Sequence, residues 1–313
     1  MLRDKGYEVL INERAKNRAA DKEEILAGIK GADAMLATLT DKVDAEIMDA
    51  GLSASSGGPT LKIIANMAVG FDNIDLEAAK KRNIMVTNTP GVLTDTVAEH
   101  TFALMLAISH RIVEADKFTR AGLYNAWGPM LLLGSDLFGK TLGVVGSGRI
   151  GSRMAYYAVK GFGMKVLYTD VKQDESFERE FDAKFFNNID DLLPKCDYVS
   201  LHVPFLESTR HLINENRLKS MKKTAYLINT SRGPVIDEKA LARALKEGWI
   251  RGAAIDVFEN EPKVEPELLR QNNIILTPHI ASATEETRNA MAELAAKNII
   301  EALEGRKPPN LIR

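Results

Sequence analysis

An arginine, a glutamate and a histidine in the last third of the chain are the residues best placed by type and spacing to do chemistry. Arg232 sits in Ile228-Asn-Thr-Ser-Arg-Gly-Pro-Val-Ile-Asp237, a polar turn after an apolar run, where a guanidinium can grip a carboxylate through two parallel hydrogen bonds. Alone it would read as a surface ion-pairing arginine. Ala254-Ile-Asp256-Val-Phe-Glu-Asn-Glu261-Pro offers carboxylates after a strand, and Thr277-Pro-His279-Ile-Ala-Ser-Ala-Thr284 offers a histidine after the next. A lone histidine is more often structural, but one beside a glutamate has its tautomer fixed and its charged form favoured, which makes an acid usable near neutral pH. Hydride transfer to a 2-keto acid needs a cation for the carboxylate, a proton donor for the carbonyl oxygen and a nicotinamide held against the carbonyl carbon. Arg232 and His279 supply the first two in principle.

The third requirement points to Thr141-Leu-Gly-Val-Val-Gly146-Ser-Gly148-Arg-Ile-Gly151-Ser-Arg-Met, a GxGxxG directly after an apolar strand and directly before a helical run. Gly146 permits a tight turn, Gly148 lets the backbone approach a pyrophosphate, and Gly151 lets helix and strand pack, with the helix N-terminus facing the anion. Asp170 ends the next strand, 24 residues after Gly146, where a carboxylate can accept from both ribose hydroxyls. It would repel a 2′-phosphate, so NAD(H) is favoured, while Lys172 leaves NADP(H) possible. The alternative is a structural glycine turn with a helix-capping acid.

These residues need strands and helices to hold them. Short apolar runs at Met35–Thr38, Leu61–Met67, Ile84–Thr87, Leu142–Val145, Lys165–Tyr168, Tyr198–His202, Ala225–Asn229 and Ile274–Thr277 alternate with helical stretches. The pattern predicts a parallel, doubly wound α/β architecture, with the three motifs at strand ends where open sheets bind ligands. Helices are expected from Thr94 towards Arg120 and over Glu285–Glu304, and these two can connect the domains. The Gly/Ser-rich stretch from Gly51 to Thr60 reads as a surface loop. Met1–Leu10 reads as a helix end, a glycine cap at Gly6 and then a strand, so a first strand is expected to be missing.

The 313 residues and 45% hydrophobic content imply two well-packed domains. With 41 basic against 43 acidic residues, the net charge of −2 supplies no field for nucleic acid or an anionic membrane. One cysteine, Cys196, forms no intramolecular disulfide and reads as a buried small hydrophobe. No signal peptide or long apolar run stands out, which fits a cytoplasmic protein, and five dispersed histidines without a CxxC make a metal site unexpected.

At Gly146–Gly151, Asn229–Pro234, Asp256–Pro262 and Thr277–Thr284, in that order, the chain resembles the D-2-hydroxyacid dehydrogenase family over essentially its whole length apart from the first strand. The resemblance implies two Rossmann-like domains. A flavodoxin-like, discontinuous substrate domain would comprise 1–94 and 285–313, and a dinucleotide-binding domain 95–284, with a cleft between them and a homodimer. It implies that Arg232 binds the substrate carboxylate and carbonyl, that Glu261 pairs with His279, and that His279 donates the proton. Val69 and Gly70 would present backbone donors to the carboxylate, although a plain strand-to-helix connection is the bland alternative there. Thr96, Arg149, Ile150, Val203, Pro204, Thr209, Thr230, Ser231, Asp256 and Ala281 fall where the family contacts the cofactor. Asn125–Asp136 and Ala295–Pro309 resemble the glyoxylate/hydroxypyruvate reductase branch, in which a tryptophan like Trp127 lines the substrate pocket across the dimer interface; an apolar dimer contact is the alternative. D-lactate or short D-3-phosphoglycerate dehydrogenases remain open, whereas an end near Arg313 disfavours the long ones with a regulatory domain. Two further readings differ in class: an NAD(H)-sensing corepressor-like binding protein on the same fold, and an enzyme whose substrate domain is damaged by loss of the first strand.

Overall fold

The computed structural model describes residues 1–13, 18–52 and 60–312. The loop expected between Gly51 and Thr60 therefore falls largely outside the described residues. The chain divides into two compact units, Met1–Leu93 with Thr284–Arg313, and Thr94–Ala283.

The first unit contains α1 (Lys22–Gly28), β1 (Ala34–Ala37), α2 (Ala45–Leu52), β2 (Ile63–Asn66), α3 (Leu76–Lys81) and β3 (Met85–Thr87), together with the C-terminal helix Glu285–Leu303. Asp21 and Glu24 form a capping box that starts α1, and Asp75 caps α3 through the Ala78 N–H. The strands form a parallel sheet in the order β1-β2-β3. β2 is buried along its whole length because both faces are covered. Ile63 and Ala65 pack on Ala295, Ile299 and Ala302 of the C-terminal helix, while Ile64 faces Ile47 and Met48 of α2 and Ala78 of α3.

The second unit runs α4 (Thr94–Ser109), α5 (Ile112–Arg120), β4 (Thr141–Val145), α6 (Arg149–Phe162), β5 (Lys165–Thr169), α7 (Glu175–Phe181), β6 (Lys184–Phe185), α8 (Ile189–Leu192), β7 (Tyr198–Leu201), α9 (Glu215–Ser220), β8 (Tyr226–Asn229), α10 (Glu238–Glu247), β9 (Gly252–Ile255) and β10 (Ile274–Leu276). Its seven strands are parallel, ordered β10-β9-β8-β7-β4-β5-β6. Strand order reverses beside β4, between β5 on one side and β7 on the other, and this is the switch point at which such sheets take a ligand. Alternate residues feed two cores: Val199 and Leu201 of β7 join the α9–α10 side, and Tyr198 joins the α4–α6 side. Cys196 is buried, as its sequence context implies, with its thiol donating to the Leu192 carbonyl at 3.3 Å and pushed up to about 12 by desolvation.

Two expectations differ from what forms. The helix from Thr94 towards Arg120 is two helices. Ser135 N–H donates to Ser109 O at 2.9 Å, taking the carbonyl that a continuing helix would need for residue 113, and Arg111 turns left-handed at φ 55°. Gly134 makes this approach possible, since a Cβ there would lie 2.4 Å from Ser109 O. At the N-terminus, Gly6 does cap a short 3-10 turn, Arg3–Lys5, at φ 83°, yet the extended segment after it is no strand, because no neighbouring strand among the described residues pairs with it.

Candidate active site

Arg232, Glu261 and His279 follow three adjacent strands, β8, β9 and β10, on the same C-terminal edge of the seven-stranded sheet. His279 and Glu261 are in direct contact, with Nδ1 at 2.9 Å from Oε2 and 3.1 Å from Oε1. The Phe258 N–H donates to Glu261 Oε1 at 3.0 Å and fixes the carboxylate. With Nδ1 engaged, Nε2 is the ring atom left to exchange a proton. The Arg232 turn packs on the same loop, since a Cβ on Gly233 would lie 1.9 Å from the Phe258 carbonyl, so only glycine admits this approach. Asn229 shapes the turn from the end of β8, accepting from Ser231 N–H and Oγ–H and donating to Arg232 O. The Arg232 guanidinium donates to the Ser231 carbonyl at 2.8 Å.

Asp256, expected at the cofactor, is fully buried and organises the His279 loop. Its carboxylate accepts from Thr277 Oγ1 at 2.6 Å, Ile280 N–H at 2.9 Å and Ala281 N–H at 2.8 Å, and its carbonyl accepts from the His279 N–H at 2.8 Å. Those bonds hold His279 at φ 54°, a left-handed conformation that costs energy for a side chain of this size. Burial by itself raises the Asp256 carboxyl pKa, but His100 at 3.6 Å, Thr277 and the two amides together hold it below the usual carboxylate range. His100, on α4, was not expected here. It lies 156 residues before Asp256 and no local pattern marks it.

The glycine fingerprint lies at the switch point. Gly146 has φ 96°, and a Cβ there would meet the His202 carbonyl at 2.8 Å and Val203 Cγ1 at 3.2 Å. A Cβ on Gly151 would lie 2.1 Å from Gly146 O. Gly148 is different, because its backbone is extended and a Cβ would meet no protein atom within 4 Å. The protein's own packing does not require glycine at 148, whereas a phosphate brought against the backbone would. Arg149 and Ile150 open α6, whose first turn has no side-chain cap, leaving its N–H groups turned to the space over Gly148. Asp170 accepts from Ser147 N–H at 2.7 Å and Ser147 Oγ at 2.9 Å, which joins the end of β5 to the glycine loop. These residues fit a dinucleotide. Thr209 closes the Pro204–Thr209 turn by donating to Pro204 O, and Thr230 Oγ1 lies 2.7 Å from Thr101 Oγ1 of α4. Thr96 stands on the first turn of α4.

His202 is no rival acid. Part of the residue is exposed, but its ring turns inward to Ser200 Oγ at 2.9 Å, and desolvation pushes its pKa down to about 3. Val69 and Gly70 belong to the first unit, in the turn after β2, and Trp127 stands out from the second unit, 79% exposed. Among the described residues no group of three His, Cys, Asp or Glu side chains is arranged to hold a metal, and no helix is long and apolar enough to cross a membrane.

The family model for the D-isomer specific 2-hydroxyacid dehydrogenase NAD-binding domain matches residues 102–281. The chain belongs to that family. It is 52% identical to a glyoxylate reductase from Thermofilum pendens over 97% of this chain and 88% of the relative. A solved protein from Thermus thermophilus shares its fold with a TM-score of 0.90 at 42% identity, covering 100% of this chain and 95% of that one. An NADPH-dependent glyoxylate/hydroxypyruvate reductase from Sinorhizobium meliloti superposes with a TM-score of 0.82 at 32% identity over 93% of this dehydrogenase and 88% of its own chain. The dehydrogenase family thus accounts for the parallel sheets and the nucleotide fingerprint, and the chain is a 2-keto acid reductase.

Proposed function

We propose that the chain reduces glyoxylate or hydroxypyruvate, giving glycolate or D-glycerate, with NADH as the preferred donor. The contact between His279 Nδ1 and Glu261 carries this reading, since it leaves one ring nitrogen available to protonate a carbonyl oxygen. The 52% identity to the glyoxylate reductase from Thermofilum pendens supports the substrate. Arg232 pairs with the substrate carboxylate and draws electron density towards the carbonyl oxygen. His279, oriented by Glu261, gives its Nε2 proton to that oxygen as the hydride is delivered to carbon, and takes a proton back from solvent. Bound NADH supplies the hydride. Gly146, Gly148, Gly151 and the opening of α6 hold the pyrophosphate, with Arg149 and Ile150 in that first turn. Asp170 holds the ribose. Val203, Pro204, Thr209, Thr96, Thr230, Ser231 and Ala281 line the remaining length, and Asp256 acts there through the loop it ties.

The preference for NADH rests on Asp170, and the NADPH-dependent relative keeps NADPH as the alternative donor. The first unit acts as the substrate domain, through Val69 and Gly70. A homodimer in the cytoplasm, with Trp127 at its interface, completes the reading; a single, fully buried cysteine suits a reducing compartment. The test is the loss of NADH and NADPH absorbance with glyoxylate, hydroxypyruvate, pyruvate and phosphohydroxypyruvate supplied in parallel. Fast oxidation of NADH with the first two is expected. Faster turnover of phosphohydroxypyruvate or pyruvate would reassign the substrate, and no turnover with NADH still bound would overturn the enzymatic reading.

A further inference from the structure

Among the described residues, the turn Ala68-Val69-Gly70-Phe71 takes its hydrogen bonds on its carbonyls. Ala68 O accepts from the Thr89 N–H at 2.9 Å, Val69 O from Asn88 Nδ2 at 2.7 Å, and Gly70 O from Asn66 Nδ2 at 2.8 Å. In a trans peptide the C=O and the following N–H point in opposite directions from one rigid plane. Anchoring three successive carbonyls therefore turns the N–H groups of Val69, Gly70 and Phe71 away from the anchors. None of these three N–H groups has an acceptor among the described residues. Successive backbone N–H groups left free in this way are the form in which a protein offers an anion site without spending a charged side chain.

The anchors are themselves locked. Asn66, 1% exposed at the end of β2, exchanges amide hydrogen bonds with Asn73 at 3.1 and 3.3 Å, and Asn73 also donates to Thr38 O and Asp41 O. Asn88, directly after β3, takes a bond on its carbonyl from the fully buried Asn298 of the C-terminal helix at 3.4 Å. The network thus joins the ends of all three strands of the first unit to its closing helix.

We propose that Asn66 and Asn88 are positioning residues that set the peptide planes of the turn, so that Val69, Gly70 and Phe71 present three N–H donors to the substrate carboxylate. This rests on the reading of Val69 and Gly70 as the carboxylate's backbone seat. It adds Phe71 N–H as a third donor and assigns the geometry to side chains that do not touch substrate.

Asn88→Asp keeps the side-chain shape but exchanges the N–H donor for an acceptor facing Val69 O. Its KM for glyoxylate is expected to rise at least about tenfold, with kcat changed less and NADH affinity within twofold. The inhibition constant of oxamate, a 2-keto acid isostere that accepts no hydride, should rise in parallel. Asn66→Ala tests the Gly70 anchor in the same way should Asn88→Asp not fold. In the wild-type chain with NADH bound, oxamate should shift the backbone amide resonances of Val69, Gly70 and Phe71. Wild-type KM and oxamate inhibition in a folded Asn88→Asp or Asn66→Ala variant would overturn the positioning role alone. Oxamate that binds but leaves all three amides unmoved, or a wild-type chain that turns over no 2-keto acid, would overturn the underlying reading and the inference with it.

Discussion

His279 owes its geometry to two carboxylates with different tasks. Glu261 contacts the ring, whereas Asp256 never touches it and fixes the backbone that aims it. Removing the ring should therefore remove chemistry without disturbing the fold, because Asp256 keeps its amide partners. His279→Ala and Arg232→Ala are each expected to lower kcat/KM with glyoxylate on the order of a hundredfold or more, while NADH titrated by fluorescence binds as before. Near-normal turnover in both would remove them from the mechanism. The glycines separate in the same way. Gly148→Ala meets open space and should fold with an unchanged Tm but bind NADH at least about tenfold more weakly. Gly151→Ala drives a methyl group against Gly146 O and should lower Tm by several degrees, a cost of about 1–3 kcal/mol. Equal thermal stability of the two variants would mean that the loop relaxes freely.

At the scale of elements, the motif loops were legible because each carries its own local signal: a glycine spacing after an apolar strand, or a polar turn that ends one. Five of the seven strands of the second unit, β4, β5, β7, β8 and β10, follow from apolar runs, and their boundaries agree with the runs to within a residue or two, whereas the two-residue β6 carries no run and β9 shows only as the strand before Asp256. The contacts that fix the site are long-range, and no periodicity encodes them. His100 reaches Asp256 from a different helix, Ser147 meets Asp170 across two strand ends, and the Asn66–Asn88 network closes through Asn298. The break between α4 and α5 was illegible for the same reason, since its cause is Ser135 arriving from downstream. His202 gives this layer a pH signature. Its pKa is 6.5 in an unfolded chain and about 3 in the fold, so below 6.5 the unfolded state gains a proton that the native state refuses. The stability tied to neutral His202 is complete above pH 6.5 and is lost progressively as pH falls towards 3, at about 1.4 kcal/mol per pH unit at most. Tm measured from pH 7 to pH 4 should fall more steeply in the wild type than in His202→Asn. Parallel curves would show that the ring is hydrated in solution.

At the scale of the whole molecule, the second unit exposes a run of large apolar side chains. Between Ile112 and Leu133, Ile112, Leu123, Tyr124, Trp127, Met130 and Leu133 are each more than 45% exposed, and Trp127 and Met130 reach 79% and 76%. Exposed apolar patches are where proteins commonly associate, and this run is the segment proposed to do so here. A second copy of the chain is the partner proposed for it, and the interface should then depend on these side chains more than on any ion pair. Sedimentation equilibrium is expected to give a dimer for the wild type and a monomer for Met130→Asp combined with Leu133→Asp, because each buried carboxylate would lack a partner across the interface. Trp127→Ala separates assembly from catalysis. If Trp127 lines the substrate pocket of the opposite copy, this variant should remain dimeric, bind NADH normally and show a raised KM for glyoxylate. If it is only an apolar contact, the dimer should weaken while KM, measured at concentrations that keep it assembled, stays the same. A wild-type chain that sediments as a monomer at tens of micromolar would remove both alternatives and leave the exposed stretch to a different protein.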